Sequence, residues 1–154
     1  MNEPWLGDAL NDWSLFLPGR GDKNIFKMHK SVHDAIRKVD DTTIIMYEPA
    51  TGGNLLGALP VGFSEGPGGE DYNDRQALSY HIYCPLLESD IPIDPHGGSG
   101  FWDWLKSKLL LGVCNVLNTV QYDIRYSDAK KLKTAGFMTE FGTEIDDLYC
   151  IMND

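Results

Sequence analysis

The sequence is poor in positive charge. Its 13 Lys and Arg stand against 23 Asp and Glu, a net charge of -10. Such a balance offers no clustered cations for phosphate, which argues against nucleic acid as a partner. Long apolar runs are also missing. The longest beside a helix, Leu109–Val113, falls far short of the ~18 residues that cross a bilayer, so no transmembrane segment is expected. Met1-Asn2-Glu3-Pro4-Trp5 has neither the basic leader nor the apolar stretch of a signal peptide. No Cys-x-x-Cys and no His-Glu-x-x-His occurs, which removes the usual zinc and thioredoxin patterns. No metal and no cofactor are expected.

What is present suits one globular domain. The hydrophobic share is 42% and the charged share 23% over 154 residues, enough for a core. The three cysteines, Cys84, Cys114 and Cys150, read either as buried thiols or as a Cys84–Cys114 disulfide with one left over, which would need an oxidising compartment.

Periodicity predicts the elements. Ile25, Met28, Val32, Ala35, Ile36 and Val39 recur at helical spacing, giving a helix over Asn24–Val39 with Asp22 as its N-cap. His29 and His33 lie four apart on it and read as surface or groove-lining residues. Thr43–Glu48 is a short, β-branched and aromatic run that reads as a buried strand. Ala50–Asn73 is a long Gly- and Pro-rich loop. Ala77–Tyr83 is a second strand. Leu86–Gly100, with its His-Gly-Gly-Ser-Gly run from His96, reads as a flexible loop and not a phosphate cradle.

Phe101–Leu111 reads as a helix with Phe101, Trp104, Leu105 and Lys108 near one face. A separate helix is expected over Asn115–Thr134, its apolar positions Val116, Val120, Ile124 and Leu132, ended by Gly136. Phe137–Phe141 is a third strand, and Glu144–Met152 starts another helix. Buried strands alternating with amphipathic helices indicate a parallel α/β sheet. Loops following the strands suit a (β/α) barrel. A doubly wound open sheet would show a Gly-rich first turn, and none is seen.

Polar groups gather at the C-terminal ends of these strands: Asn2-Glu3-Pro4-Trp5, Tyr47-Glu48-Pro49, His81 with Tyr83, and Thr139-Glu140-Phe141-Gly142. In a barrel those ends converge on the catalytic face. Two carboxylates flanking a glycosidic bond can cleave it, retaining configuration at a separation of about 5 Å and inverting at about 6.5–9.5 Å. Singly, each residue has a plainer reading: Glu3 as a solvated acid, His81 as a structural histidine, Trp5 as packing. Their joint placement after successive strands favours chemistry.

The tetrad at Asn2 and the later Thr139-Glu140-Phe141-Gly142 resemble family 5 glycoside hydrolases. Asp34–Asp40, Met46–Pro49 and Ser79–Pro85, in that order, look like the endoglycoceramidase branch. The resemblance implies a partial (β/α)8 TIM barrel covering about strands four to seven. Residues 1–154 would then be a C-terminal-half fragment of a catalytic barrel, poorly stable and weakly active alone. It implies Glu3 as acid/base and Glu140 as nucleophile, 137 residues apart. Asn2, Trp5, His81 and Tyr83 would bind substrate, Asn2 through the sugar 2-hydroxyl and Tyr83 by orienting Glu140. Cys84 and Cys114 resemble a cysteine pair around the strand-six loop of eukaryotic members.

The implied reaction is hydrolysis of a β-glycoside in a glycosphingolipid, oligosaccharide-ceramide or glucosylceramide. Contact with a membrane surface would come through that lipid. Soluble β-glucans or steryl β-glucosides are the alternatives within the family, and a non-catalytic carbohydrate-binding module the alternative outside it. Family and disulfide together imply secretory or lysosomal passage for the full-length protein.

Overall fold

A computed structural model describes residues 3–8, 10–17, 19–50, 59–84 and 101–142, with the side chains of 101–104, 106 and 107 outside the description. The elements are α1 (Arg20–Arg37), β1 (Ile45–Tyr47), β2 (Gln76–Tyr83), α2 (Phe101–Lys131) and β3 (Ala135–Gly142). The three strands form one parallel sheet in the order β1-β2-β3. Parallel neighbours in sequence order are what successive units of a (β/α) barrel produce. The fold is α/β, consistent with part of a TIM barrel.

β2 is central and buried on both faces, as the middle strand of a parallel sheet must be. One face carries Leu78, paired with Tyr47, and packs with Ile25, Phe63, Ala129 and Leu132 in the core. The other carries Ser79, His81 and Tyr83. β3 is a mostly exposed edge, with Phe137, Met138 and Phe141 open to solvent.

α1 begins four residues before the expected start. Gly19 is its N-cap at φ 73°, a conformation that suits glycine. A Cβ on Gly62 would overlap the Gly19 backbone, so the two chains touch there only because both residues are glycine. Asp22 is not the cap. It is buried in the first turn, where Oδ1 accepts from Ala50 N–H at 2.7 Å and Oδ2 from Gly62 N–H at 2.6 Å.

The buried stripe of α1 is also rotated from the expected one. It holds Asp22, Ile25, His29 and His33, while Val32 and Val39 are exposed. Hydropathy points away from these polar residues, but each meets something inside. His29 Nε2–H donates to the Glu48 carbonyl at 2.8 Å. His33 lies edge-on to Tyr72, ring centroids 4.8 Å apart. The two histidines are therefore core residues, not surface ones.

The two helices expected after residue 100 are one. Gly112 sits inside α2 with open space where a Cβ would be, and a helical glycine costs only about 1 kcal/mol. The helix ends at Lys131, and Lys133 takes the left-handed turn at φ 54°. Gly136 belongs to β3. There it lets Ala129 and Tyr80 approach, and an added Cβ would lie 3.1 Å from the Ala129 Cβ.

The inward face of α2 is Cys114, Gln121, Arg125, Asp128 and Ala129, continued past its end by Leu132, with Val116 and Val120 outside. Arg125 Nη1 pairs with Asp128 Oδ2 at 2.9 Å, and that oxygen also accepts from Val61 N–H at 3.1 Å. Arg125 Nη2 donates to the Leu59 carbonyl. This ion pair and Asp22 together hold residues 59–62 against both helices. Residues 59–75 are otherwise irregular, with one 3-10 turn at Glu70–Tyr72.

Cys84 and Cys114 form a disulfide, Cα–Cα 5.4 Å, tying the end of β2 to α2. The expected loop over Leu86–Gly100, residues 51–58 of the expected first loop, Cys150 and the expected helix over Glu144–Met152 lie outside the described residues.

Candidate active site

Four side chains from separate parts of the chain meet at the C-terminal end of the sheet. His81 is the hub. Its Nδ1 lies 3.1 Å from Glu3 Oε1. Its Nε2 lies 3.5 Å from Glu48 Oε1 and 3.5 Å from Glu140 Oε1. Those two distances exceed an ordinary hydrogen bond, so the ring stands between two acids, committed to neither.

Local irregularity in β3 aims Glu140. Residues Ala77 to Tyr80 pair in step with Ala135 to Met138, but His81 pairs with Glu140. Thr139 is the extra residue of a β-bulge. In unbroken register Glu140 would fall opposite Ile82 and face the helices, because one residue of slip reverses the face. The Thr139 hydroxyl fills the gap, 2.8 Å from Ser79 Oγ.

Tyr83 completes the arrangement. Its hydroxyl donates to Glu140 Oε2 at 2.5 Å. That hydrogen bond, helped by burial, pushes the phenol up to about 12. Tyr83 therefore keeps its proton at neutral pH and remains a donor to Glu140.

Glu3 has a left-handed backbone at φ 47°, unusual for a residue with a side chain. Its N–H donates to Glu48 Oε2 at 3.3 Å. Glu48 is only 6% exposed. Burial pushes its carboxyl up, opposed by the adjacent His81 and by the Glu3 N–H, and reinforced by the charges of Glu3 and Glu140. Sequence reading noted Glu48 at a strand end but gave it no place in the site.

Glu3, His81 and Glu140 each offer an oxygen or nitrogen within 4.8 Å of the others. The same close approach that suits two cooperating acids would also suit a cation. Trp5, isolated in one bridge, is 59% exposed, which overturns its plainer reading as a packing residue. Asn2 lies outside the described residues.

Two carboxylates this close, one on β3 and one from the N-terminal segment beside the C-terminal end of a parallel sheet, are the equipment of a glycosidase. Residues 1–151 match the family model described as cellulase (glycosyl hydrolase family 5). The chain belongs to glycoside hydrolase family 5.

An endoglycoceramidase of Cyanea nozakii is 33% identical over 144 residues, covering 93% of this chain and 22% of the relative. An endoglycoceramidase of Hydra vulgaris is 29% identical over 153 residues, covering 97% of this chain and 23% of the relative. The chain thus spans less than a quarter of the length of these curated relatives. No solved structure gives a significant match.

Proposed function

We propose that the chain carries the catalytic acids of a retaining β-glycosidase acting on glycosphingolipids, with Glu3 as acid/base and Glu140 as nucleophile. The observation that carries this reading is the approach of Glu3 and Glu140 oxygens to within 4.8 Å around His81. That spacing suits the retaining geometry of about 5–5.5 Å and leaves no room for the water of an inverting site.

The steps follow from the contacts. Tyr83 holds one Glu140 oxygen, and the other faces the sugar. Glu140 attacks the anomeric carbon as Glu3 gives its proton to the departing oxygen. The glycosyl–Glu140 ester is then cleaved by water, whose proton returns to Glu3. Asn2 would contact the 2-hydroxyl and Trp5 would lie against a sugar face.

The lipid-linked substrate is supported by the two relatives named endoglycoceramidase. The bond cleaved would be that between glycan and ceramide. The enzyme would then meet its substrate at a membrane surface, through the lipid. The disulfide supports synthesis in an oxidising, secretory or lysosomal route. The family description, cellulase, favours soluble β-glucan as the second reading.

The test is hydrolysis by the full-length protein carrying this chain, offered glucosylceramide-type lipids and soluble β-glucans side by side. Release of ceramide, abolished in Glu140→Gln and at least a hundredfold lower in Glu3→Gln, is expected. Unchanged turnover in either variant would end the assignment. Turnover of glucan alone would shift the substrate to the second reading.

A further inference from the structure

We propose that Glu48 is a positioning residue of this reaction, its one carboxylate holding the Glu3 main chain with Oε2 and facing the His81 ring with Oε1. The inference rests on the glycosidase reading and adds a third acid to it.

Geometry makes the case. Glu48 follows β1 directly, and β1 pairs with β2, the strand that carries His81. Its Oε2 accepts from Glu3 N–H at 3.3 Å, at the residue whose backbone is left-handed. Such a conformation costs about 1–3 kcal/mol and persists only where surroundings enforce it. Its Oε1 lies 3.5 Å from His81 Nε2, whose other nitrogen lies 3.1 Å from Glu3 Oε1. Glu48 thus reaches Glu3 twice, through its backbone and through the imidazole.

A merely structural role fits poorly. Burying a carboxylate costs several kcal/mol, and a glutamine would accept the Glu3 N–H equally well. The groups facing Glu48 make the choice stranger still. Glu3 comes from the N-terminal segment, Glu140 from β3, Tyr83 and His81 from β2, and His29 of α1 donates to its main-chain carbonyl. A third acid beside two others raises the mutual repulsion. Like charges oppose each other's ionisation, so an ionised Glu48 helps the cluster keep the proton that the leaving group needs. His81, bounded by acids on both nitrogens, carries that influence between β1 and β3.

The predicted behaviour differs from that of a packing residue. In the full-length protein, Glu48→Gln should lower kcat at least tenfold and change KM less than threefold. The alkaline limb of its kcat–pH profile should move to lower pH, because a repelling charge is gone. Glu48→Asp, which keeps the charge on a shorter arm, should lower kcat but leave the alkaline limb in place. The 15N signals of the His81 ring should shift in both variants, a readout independent of turnover.

Wild-type kcat, pH limb and His81 signals in a folded Glu48→Gln protein would overturn the proposal. Should that variant not fold, wild-type kcat and His81 signals in Glu48→Asp would overturn it equally. Either result beside an inactive Glu140→Gln leaves the glycosidase reading intact. Absence of β-glycosidase activity in the wild type removes both readings at once.

Discussion

His81 on β2 stands opposite Glu140 on β3, where unbroken pairing would have put Thr139. Because the strand bulges at Thr139, the carboxylate stays on the face of His81 and is not turned toward the helices.

Deleting Thr139 should close the bulge and leave Glu140 next after Met138, still opposite His81 and on the same face. Hydrolysis should stay well above the level of Glu140→Gln. Covalent labelling by a 2-deoxy-2-fluoro-β-glucoside, followed by mass spectrometry, checks this directly. Loss of Glu140 labelling in a folded deletion variant would contradict Thr139 being the extra residue.

Tyr83→Phe removes a hydrogen bond to an ionised oxygen. Such bonds contribute about 1.5–3 kcal/mol, so kcat/KM should drop roughly tenfold to a hundredfold. Because Tyr83 is only partly buried, the melting temperature should stay near that of the wild type. Kinetics on an aryl β-glucoside and a thermal melt, run together, separate the two effects.

Asp22 accepts two buried N–H groups, from Ala50 and Gly62. Asp22→Ala leaves both without an acceptor, at about 1–3 kcal/mol each. A loss of roughly 2–6 kcal/mol in urea unfolding is expected. Asp22→Asn, keeping one acceptor oxygen, should lose about half as much.

His29 gives the fold a pH dependence. Burial holds its ring below the usual histidine range, against the partly compensating bond to Glu48. The unfolded chain therefore takes up a proton at His29, near pH ~6.5, before the folded chain does. Stability from this residue is present above that pH and lost as the pH falls toward the lower folded value. In His29→Gln, which keeps a donor for the Glu48 carbonyl, the stability–pH curve should flatten below about pH 6.5. Denaturation midpoints measured from mildly acidic to mildly alkaline pH check it.

The strands were legible in the sequence because β-branched and aromatic runs, two of them ended by proline, mark them to within a few residues. The approach of Glu3, His81, Tyr83 and Glu140 was legible only through resemblance, since no spacing reports a meeting across 137 residues. The helix faces were misread. Asp22, His29, Arg125 and Asp128 are buried because each finds a partner on a distant loop or strand, and hydropathy cannot see partners. Val116 and Val120 satisfied the period and still lie outside. Gly112 lies within α2 because open space surrounds it, and Gly136 belongs to β3, where crowding demands a glycine, and does not end the helix. Glu48 was noted at a strand end but left without a role for a related reason: a single acid after a strand looks like any solvated acid until its burial is known.

The bond between Cys84 and Cys114 sits one residue beyond Tyr83. The residue whose hydroxyl holds Glu140 is thus anchored next to a covalent tie to the long helix behind the sheet. A cell that keeps its thiols reduced would make this polypeptide with the same acids but a looser grip on one of them. The history of a preparation, and not its sequence alone, would then govern how firmly Glu140 is held.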